Sequence, residues 1–150
     1  MRVYIDTSVF VGCFDKEYRV YSTQLFKELR QGIKRAIISD ITIRELEDAP
    51  VKVKNLLEAI PEKHREIVLA GKEDIALANA YIAEGAITER FFNDALHIAL
   101  ATISKVDVLV SWNFKHIVNL NRIRLYNAVN LKKGRSLIEI RSPLEVIYEK

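Results

Sequence analysis

The sequence predicts an α/β fold, a three-layer α/β/α sandwich around a central parallel sheet. Two observations carry this. Short, solidly apolar runs recur at Val3–Ile5, Ala36–Ser39 and Val108–Val110, the pattern expected of strands covered on both faces. The segments between them carry apolar residues at helical spacing.

Taken in order, Val3–Ile5 reads as the first and central strand. Tyr18–Arg30 follows as an amphipathic helix, with Val20, Leu25, Phe26 and Leu29 on its apolar side and Gly32 closing it. Ala36–Ser39 is a buried strand. Ile41–Leu46 reads as a helix capped by Asp40 or Thr42, and Val51–Ala59 as another, stopped before Pro61. Ile67–Leu69 is a third strand or the end of a turn. Glu73–Glu84 is an Ala-rich helix ended by Gly85. Phe92–Ser104 is apolar nearly all round, which predicts a buried helix. Val108–Val110 and Ile123–Tyr126 read as strands, Ile138–Ile140 as a short edge strand and Pro143–Tyr148 as a terminal helix. Pro50, Pro61 and Pro143 each mark a helix boundary.

Length and composition predict one domain over residues 1–150, with 49% apolar and 29% charged residues. The apolar runs are too short to cross a bilayer, so no membrane association is expected. The N-terminus lacks the features of a secretory signal, and Cys13 is the only cysteine. Together these predict a reducing, cytoplasmic setting with no disulfide and no thiolate metal cluster. Between Asn113 and Arg141, seven cations face Glu139 alone, a surplus of six. With a net charge of +3, the rest of the chain is left with about three net negatives. A basic C-terminal part beside an acidic remainder suits a polyanionic partner.

The chemistry is expected where strands end, because ligands of open α/β sheets bind outside the carboxyl ends of the strands. Asp6 follows the first strand directly, with Thr7 and Ser8 behind it. Glu45 lies about one helical turn beyond the second strand, Asp94 near the start of the buried helix, and Asn113 just after Val108–Val110. Each also has an ordinary explanation: Asp6 or Asp94 as a helix N-cap, Glu45 as part of an exposed acidic helix end, Asn113 as a turn residue. Clustered carboxylates at ~5 Å repel by roughly 3 kcal/mol per pair at an effective dielectric near 20. A hard divalent cation such as Mg²⁺ or Mn²⁺ relieves that repulsion, and such a cation stabilises charge on a phosphodiester. His97, one turn after Asp94, is either a proton donor or a buried histidine bonded beside the site. Lys115 and His116 are either phosphate contacts or part of a surface turn, and Trp112 either stacks on a base or packs in the core.

Four segments resemble the PIN-domain family and, within it, the VapC-like toxin ribonucleases: VYIDTSVF, IISDITIRELE, FFNDALHIALA and VDVLVSWNFKHI. They stand in the family's order and cover Val3 to about Ile117. The resemblance implies a flavodoxin-like sandwich and an endoribonuclease using Mg²⁺ or Mn²⁺. It places Asp6, Glu45 and Asp94 as the acidic residues of the metal site, and Thr7 or Ser8 as a supporting hydroxyl. It also implies the toxin of a type II toxin–antitoxin pair, with RNA as substrate, an antitoxin as partner and a homodimer as the common assembly. The chain departs from the family at Asn113, where many members carry Asp. An amide ligates or orients water through its oxygen but removes a charge, so a non-catalytic PIN module binding RNA or protein is the alternative. A phosphotransfer receiver fits less well, lacking a second acidic residue near the end of the first strand. A haloacid dehalogenase-type phosphatase would want Asp where Ser8 stands.

Overall fold

The computed structural model describes residues 1–147. Five strands form one sheet: β1 (Arg2–Ile5), β2 (Arg35–Ser39), β3 (Arg65–Val68), β4 (Val108–Val110) and β5 (Ile140–Arg141). Their order is β3-β2-β1-β4-β5 and every pairing is parallel. β1 is central as expected. Val3 pairs with Ala36 on one side and Val108 on the other. The strand order reverses between β1 and β4, which is where this class of sheet opens a crevice.

The helices are α1 (Thr7–Gly12), α2 (Arg19–Gln31), α3 (Asp40–Leu46), α4 (Val51–Glu58), α5 (Lys72–Ala83), α6 (Phe92–Ile103), α7 (Leu120–Lys132) and α8 (Pro143–Val146). Strand side chains alternate between two cores. Tyr4, Ile37, Leu109 and Ile140 face α5, α6 and α7. Val3, Ile5, Ala36, Ile38, Val108 and Val110 face α1, α2 and α4. All eight residues from Ala95 to Thr102 on α6 are buried, matching its all-round apolar pattern.

Several local expectations are corrected. Ile123–Tyr126 is not a strand but the middle of α7. The Asn119 side chain accepts from Arg122 N at 3.2 Å and caps the helix, and Tyr126, Val129 and Asn130 are buried at helical spacing. Packing of that stripe overrides the β-prone local composition. β5 begins at Ile140, because Asn127 occupies the backbone of Ile138: its Oδ1 accepts from Ile138 N at 2.8 Å and its Nδ2 donates to Ile138 O at 3.1 Å. Helix α3 is capped by Ser39, whose Oγ accepts from Thr42 N, and not by Asp40 or Thr42. Asp40 instead accepts from Ala70 N at 3.1 Å, tying down the end of β3. The open alternative at Ile67–Leu69 resolves as a strand, β3. The terminal helix ends at Val146, and Tyr148 lies outside the described residues.

The basic segment does not form one face. A crossover helix between parallel strands returns the chain to the opposite edge of the sheet, so Lys132, Lys133 and Arg135 at the end of α7 lie away from Asp6. Lys132 and Arg135 pair there with Glu84 and Glu73. Arg141 pairs with Glu139 and Glu145.

Gly12 lets α1 approach the Trp112 indole. A Cβ there would fall 2.7 Å from both Trp112 Nε1 and Ser22 Oγ, atoms already joined by a 2.7 Å hydrogen bond. Gly12→Ala should therefore cost about 1–3 kcal/mol by overpacking. Urea unfolding checks it; an unchanged midpoint would show that the indole shifts freely.

Candidate metal and phosphodiester site

Asp6 stands at the end of β1, where its N–H donates to Val110 O across the β1–β4 seam at 3.1 Å. It holds the position before α1, yet its side chain makes no cap hydrogen bond. Instead Oδ2 accepts from Ser8 Oγ at 2.6 Å and from Ser111 Oγ at 2.8 Å. Both hydroxyls are fixed from behind: Ser8 Oγ accepts from Trp112 N, and Ser111 Oγ from Asn113 N, each at 2.9 Å. Asp6 is only 5% exposed. The ordinary reading of this carboxylate as a helix cap therefore fails.

Glu45 reaches the same edge from α3. Its Oε1 accepts from Thr7 Oγ1 and faces His97 Nε2, both at 2.7 Å. Burial raises its pKa, but the His97 hydrogen bond and charge and the Thr7 hydroxyl outweigh that and hold it below the ordinary value. His97 is buried. Its Nε2 also lies 3.7 Å from Asp6 Oδ1, and its Nδ1 lies 2.6 Å from Tyr4 Oη, which donates to Ser39 Oγ at 2.8 Å. Burial lowers the His97 pKa, but the hydrogen bond to Glu45 and the charges of Asp6, Glu45 and Asp94 outweigh it and leave it raised.

Asp94 lies in the first turn of α6, two residues inside the helix start. Burial, and then the charge of Asp6, push its pKa up to about 6. Glu45 adds to the rise, while His97 and a hydrogen bond from Asn113 oppose it. Asn113 Nδ2 donates to Asp94 Oδ2 at 3.3 Å. The amide oxygen of Asn113 accepts from Lys115 N and His116 N at 3.2 and 3.0 Å. Those two N–H donors fix the amide orientation, so Asn113 offers the site a donor, and its oxygen serves the turn.

The four positions singled out in the sequence thus meet at one sheet edge, together with Thr7 and Ser8. Ser111, Tyr4 and Ser39 complete the hydrogen-bonding network and were not foreseen. Ser111 stands one residue past β4, the same relation that drew notice to Asp6. Of the two expected phosphate contacts, Lys115 is exposed. His116 is corrected: it is 7% exposed, its ring packs on Phe91 with centroids 3.8 Å apart, and burial lowers its pKa, with Lys115 and Arg122 adding to the effect.

Among the described residues no three His, Cys, Asp or Glu side chains are gathered tightly enough to hold a metal ion among themselves. The donor set nevertheless suits a hard cation. One oxygen of each of Asp6, Glu45 and Asp94 carries a protein hydrogen bond. The charges of Asp6 and Glu45 both raise the proton affinity of Asp94, and His97 opposes them. Mg²⁺ is commonly bound by one or two carboxylates with several waters.

An α/β fold with carboxylates at its topological switch point is therefore the class this chain defines. No family model matches the chain, and no curated protein does. Among solved structures it is similar to the crystal structure of VapBC2 from Rickettsia felis bound to a DNA fragment from their promoter. The TM-score is 0.58 over 95% of this chain and 98% of that one, at 15% identity. At that identity the likeness establishes a shared fold.

Asp94 and His97 both bind a proton more tightly in the folded than in the unfolded chain. Without added metal, these two groups add stability as pH falls from about 8 towards about 5, while His116, whose pKa is lowered, opposes them, so Asp94→Asn should lose the share that Asp94 adds. Urea midpoints in EDTA across this range check it. The same pH dependence in wild type and Asp94→Asn would contradict the direction assigned to Asp94.

Proposed function

We propose that the chain is a metal-dependent endoribonuclease that hydrolyses RNA phosphodiester bonds and serves as the toxin of a type II toxin–antitoxin pair. The observation that carries the reading is the meeting of Asp6, Glu45 and Asp94 at the switch point of this sheet, where the charges of the first two raise the pKa of the third. The four sequence segments that resemble VapC-like ribonucleases supply these residues. The likeness to a VapBC2 structure supports an antitoxin as partner. A homodimer in the cytoplasm is part of the same reading.

Asp6, Glu45 and Asp94 would hold Mg²⁺ or Mn²⁺, which supplies a polarised water and neutralises charge gathering on the phosphodiester. The remaining residues set the geometry. Ser8 and Ser111 fix the Asp6 rotamer, Thr7 and His97 fix Glu45, and Asn113 holds Asp94 through its amide N–H. Lys115 stands in solvent where it can meet a phosphate.

The non-catalytic alternative draws on Asn113, whose oxygen is committed to two backbone N–H groups. Two variants decide between the readings. Asp94→Asn should abolish Mn²⁺-dependent cleavage of a mixed RNA pool while leaving the far-ultraviolet circular dichroism unchanged. Asn113→Asp would set a second carboxylate against Asp94. It should tighten Mn²⁺ by about five- to tenfold in calorimetric titration, a net gain of roughly 1 kcal/mol after repulsion is set against attraction. Wild-type cleavage by Asp94→Asn would remove Asp94 from the site. RNA binding without cleavage by the wild-type chain, with Mn²⁺ supplied, would favour the binding module.

A further inference from the structure

We propose that the cleft beside the carboxylates is a nucleobase subsite, where the base next to the scissile phosphodiester lies against Tyr18. The inference rests on the ribonuclease reading above and adds where the strand is gripped.

Three observations carry it. The first is continuity. Thr7, Ser8 and Asn113 line one end of the cleft, and the same three side chains bond Glu45, Asp6 and Asp94. A group seated in the cleft is therefore joined at one end to whatever meets the carboxylates. The second is a flat aromatic wall that is already assembled. Tyr18 stacks on Trp112 with centroids 4.1 Å apart and planes within 15°. Trp112 is held by its hydrogen bond to Ser22 and by the close approach of Gly12. Phe114, 47% exposed, stands 6.4 Å from the Tyr18 ring. Aromatic platforms of this kind stack any base, because every base has a π face.

The third observation is charge. The cleft, about 320 Å³, is lined by no lysine or arginine, and Asp15 is its one acidic residue. A phosphate would be repelled there, whereas a neutral ring is accepted. The volume lies within the range of small-ligand sites, about 300–1,000 Å³. The cleft thus takes the base, and the carboxylate edge takes the phosphate.

The test uses the full chain, Mn²⁺ and a non-cleavable 2′-O-methyl pentaribonucleotide, with a companion series carrying one abasic sugar at each position in turn. Trp112 is the only tryptophan, so its emission reports on the cleft, and anisotropy of an end-labelled pentamer gives affinity. One abasic position should weaken wild-type binding about tenfold and abolish the quenching of Trp112. Tyr18→Ala should weaken binding of the intact pentamer to a similar degree and show no further loss at that position. Tyr18→Phe, which keeps the ring, should restore wild-type behaviour. If the pentamer binds but no abasic position matters, or if the abasic and Tyr18→Ala losses add in full, the subsite is overturned while the ribonuclease reading stands. Wild-type protein that binds no pentamer overturns both. Quenching of Trp112 by a protein partner, with none by RNA, would assign the cleft to that partner instead.

Discussion

The structure depends on placing a buried carboxylate at the seam of a parallel sheet. Asp6 follows the central strand where strand order reverses, and an isolated buried carboxylate is costly. Two hydroxyls from separate chain segments offset that cost. Ser8 comes from the first turn of α1 and Ser111 from the residue after β4. Because both hydroxyls also accept backbone N–H bonds from the loop after β4, they tie α1, β1 and that loop together. The loop then turns through Asn113, whose amide oxygen closes the turn and whose NH₂ reaches Asp94 on α6.

A second line of hydrogen bonds crosses the sheet edge from the other core. It runs from Ser39 through Tyr4 and His97 to Glu45 and Thr7. Ser39 caps α3, so the group that starts this helix also anchors the network that fixes Glu45 on it. His97 sits among three carboxylates whose charges raise its pKa, one base against three acids. Asp94, pushed up to about 6, is the group left least compensated. Such a cluster gives up folding stability that a cation would restore, which gives a physical reason for expecting the cation.

Much of this was legible in the sequence because β1, β2 and β4 each end in a run-breaking polar residue. The apolar runs located β1, β2 and β4, and the polar residues after them marked the edge. Asp94 was legible as a carboxylate at the head of an all-apolar helix, in a segment that resembles the PIN-domain family. Ser111 escaped notice because a lone hydroxyl after a strand looks like any turn residue. The Tyr4–His97 pairing joins residues 93 apart in the chain and leaves no local trace. Ile123–Tyr126 reads as a strand from the closely spaced Ile123, Leu125 and Tyr126, while the helix is decided by Asn119 at its start and by burial of Tyr126 and Val129. His116 looked like a surface residue beside Lys115 until the turn folded its ring onto Phe91.

The central claim is that Asp6, Glu45 and Asp94 together form a cation site. Anomalous diffraction from crystals soaked in Mn²⁺ tests it most directly, because the ion is located without reference to activity. The account predicts an anomalous peak enclosed by the free oxygens of these three carboxylates, absent from Asp94→Asn crystals under the same soak. A fully loaded site elsewhere on the molecule, with this edge holding only water, would contradict it.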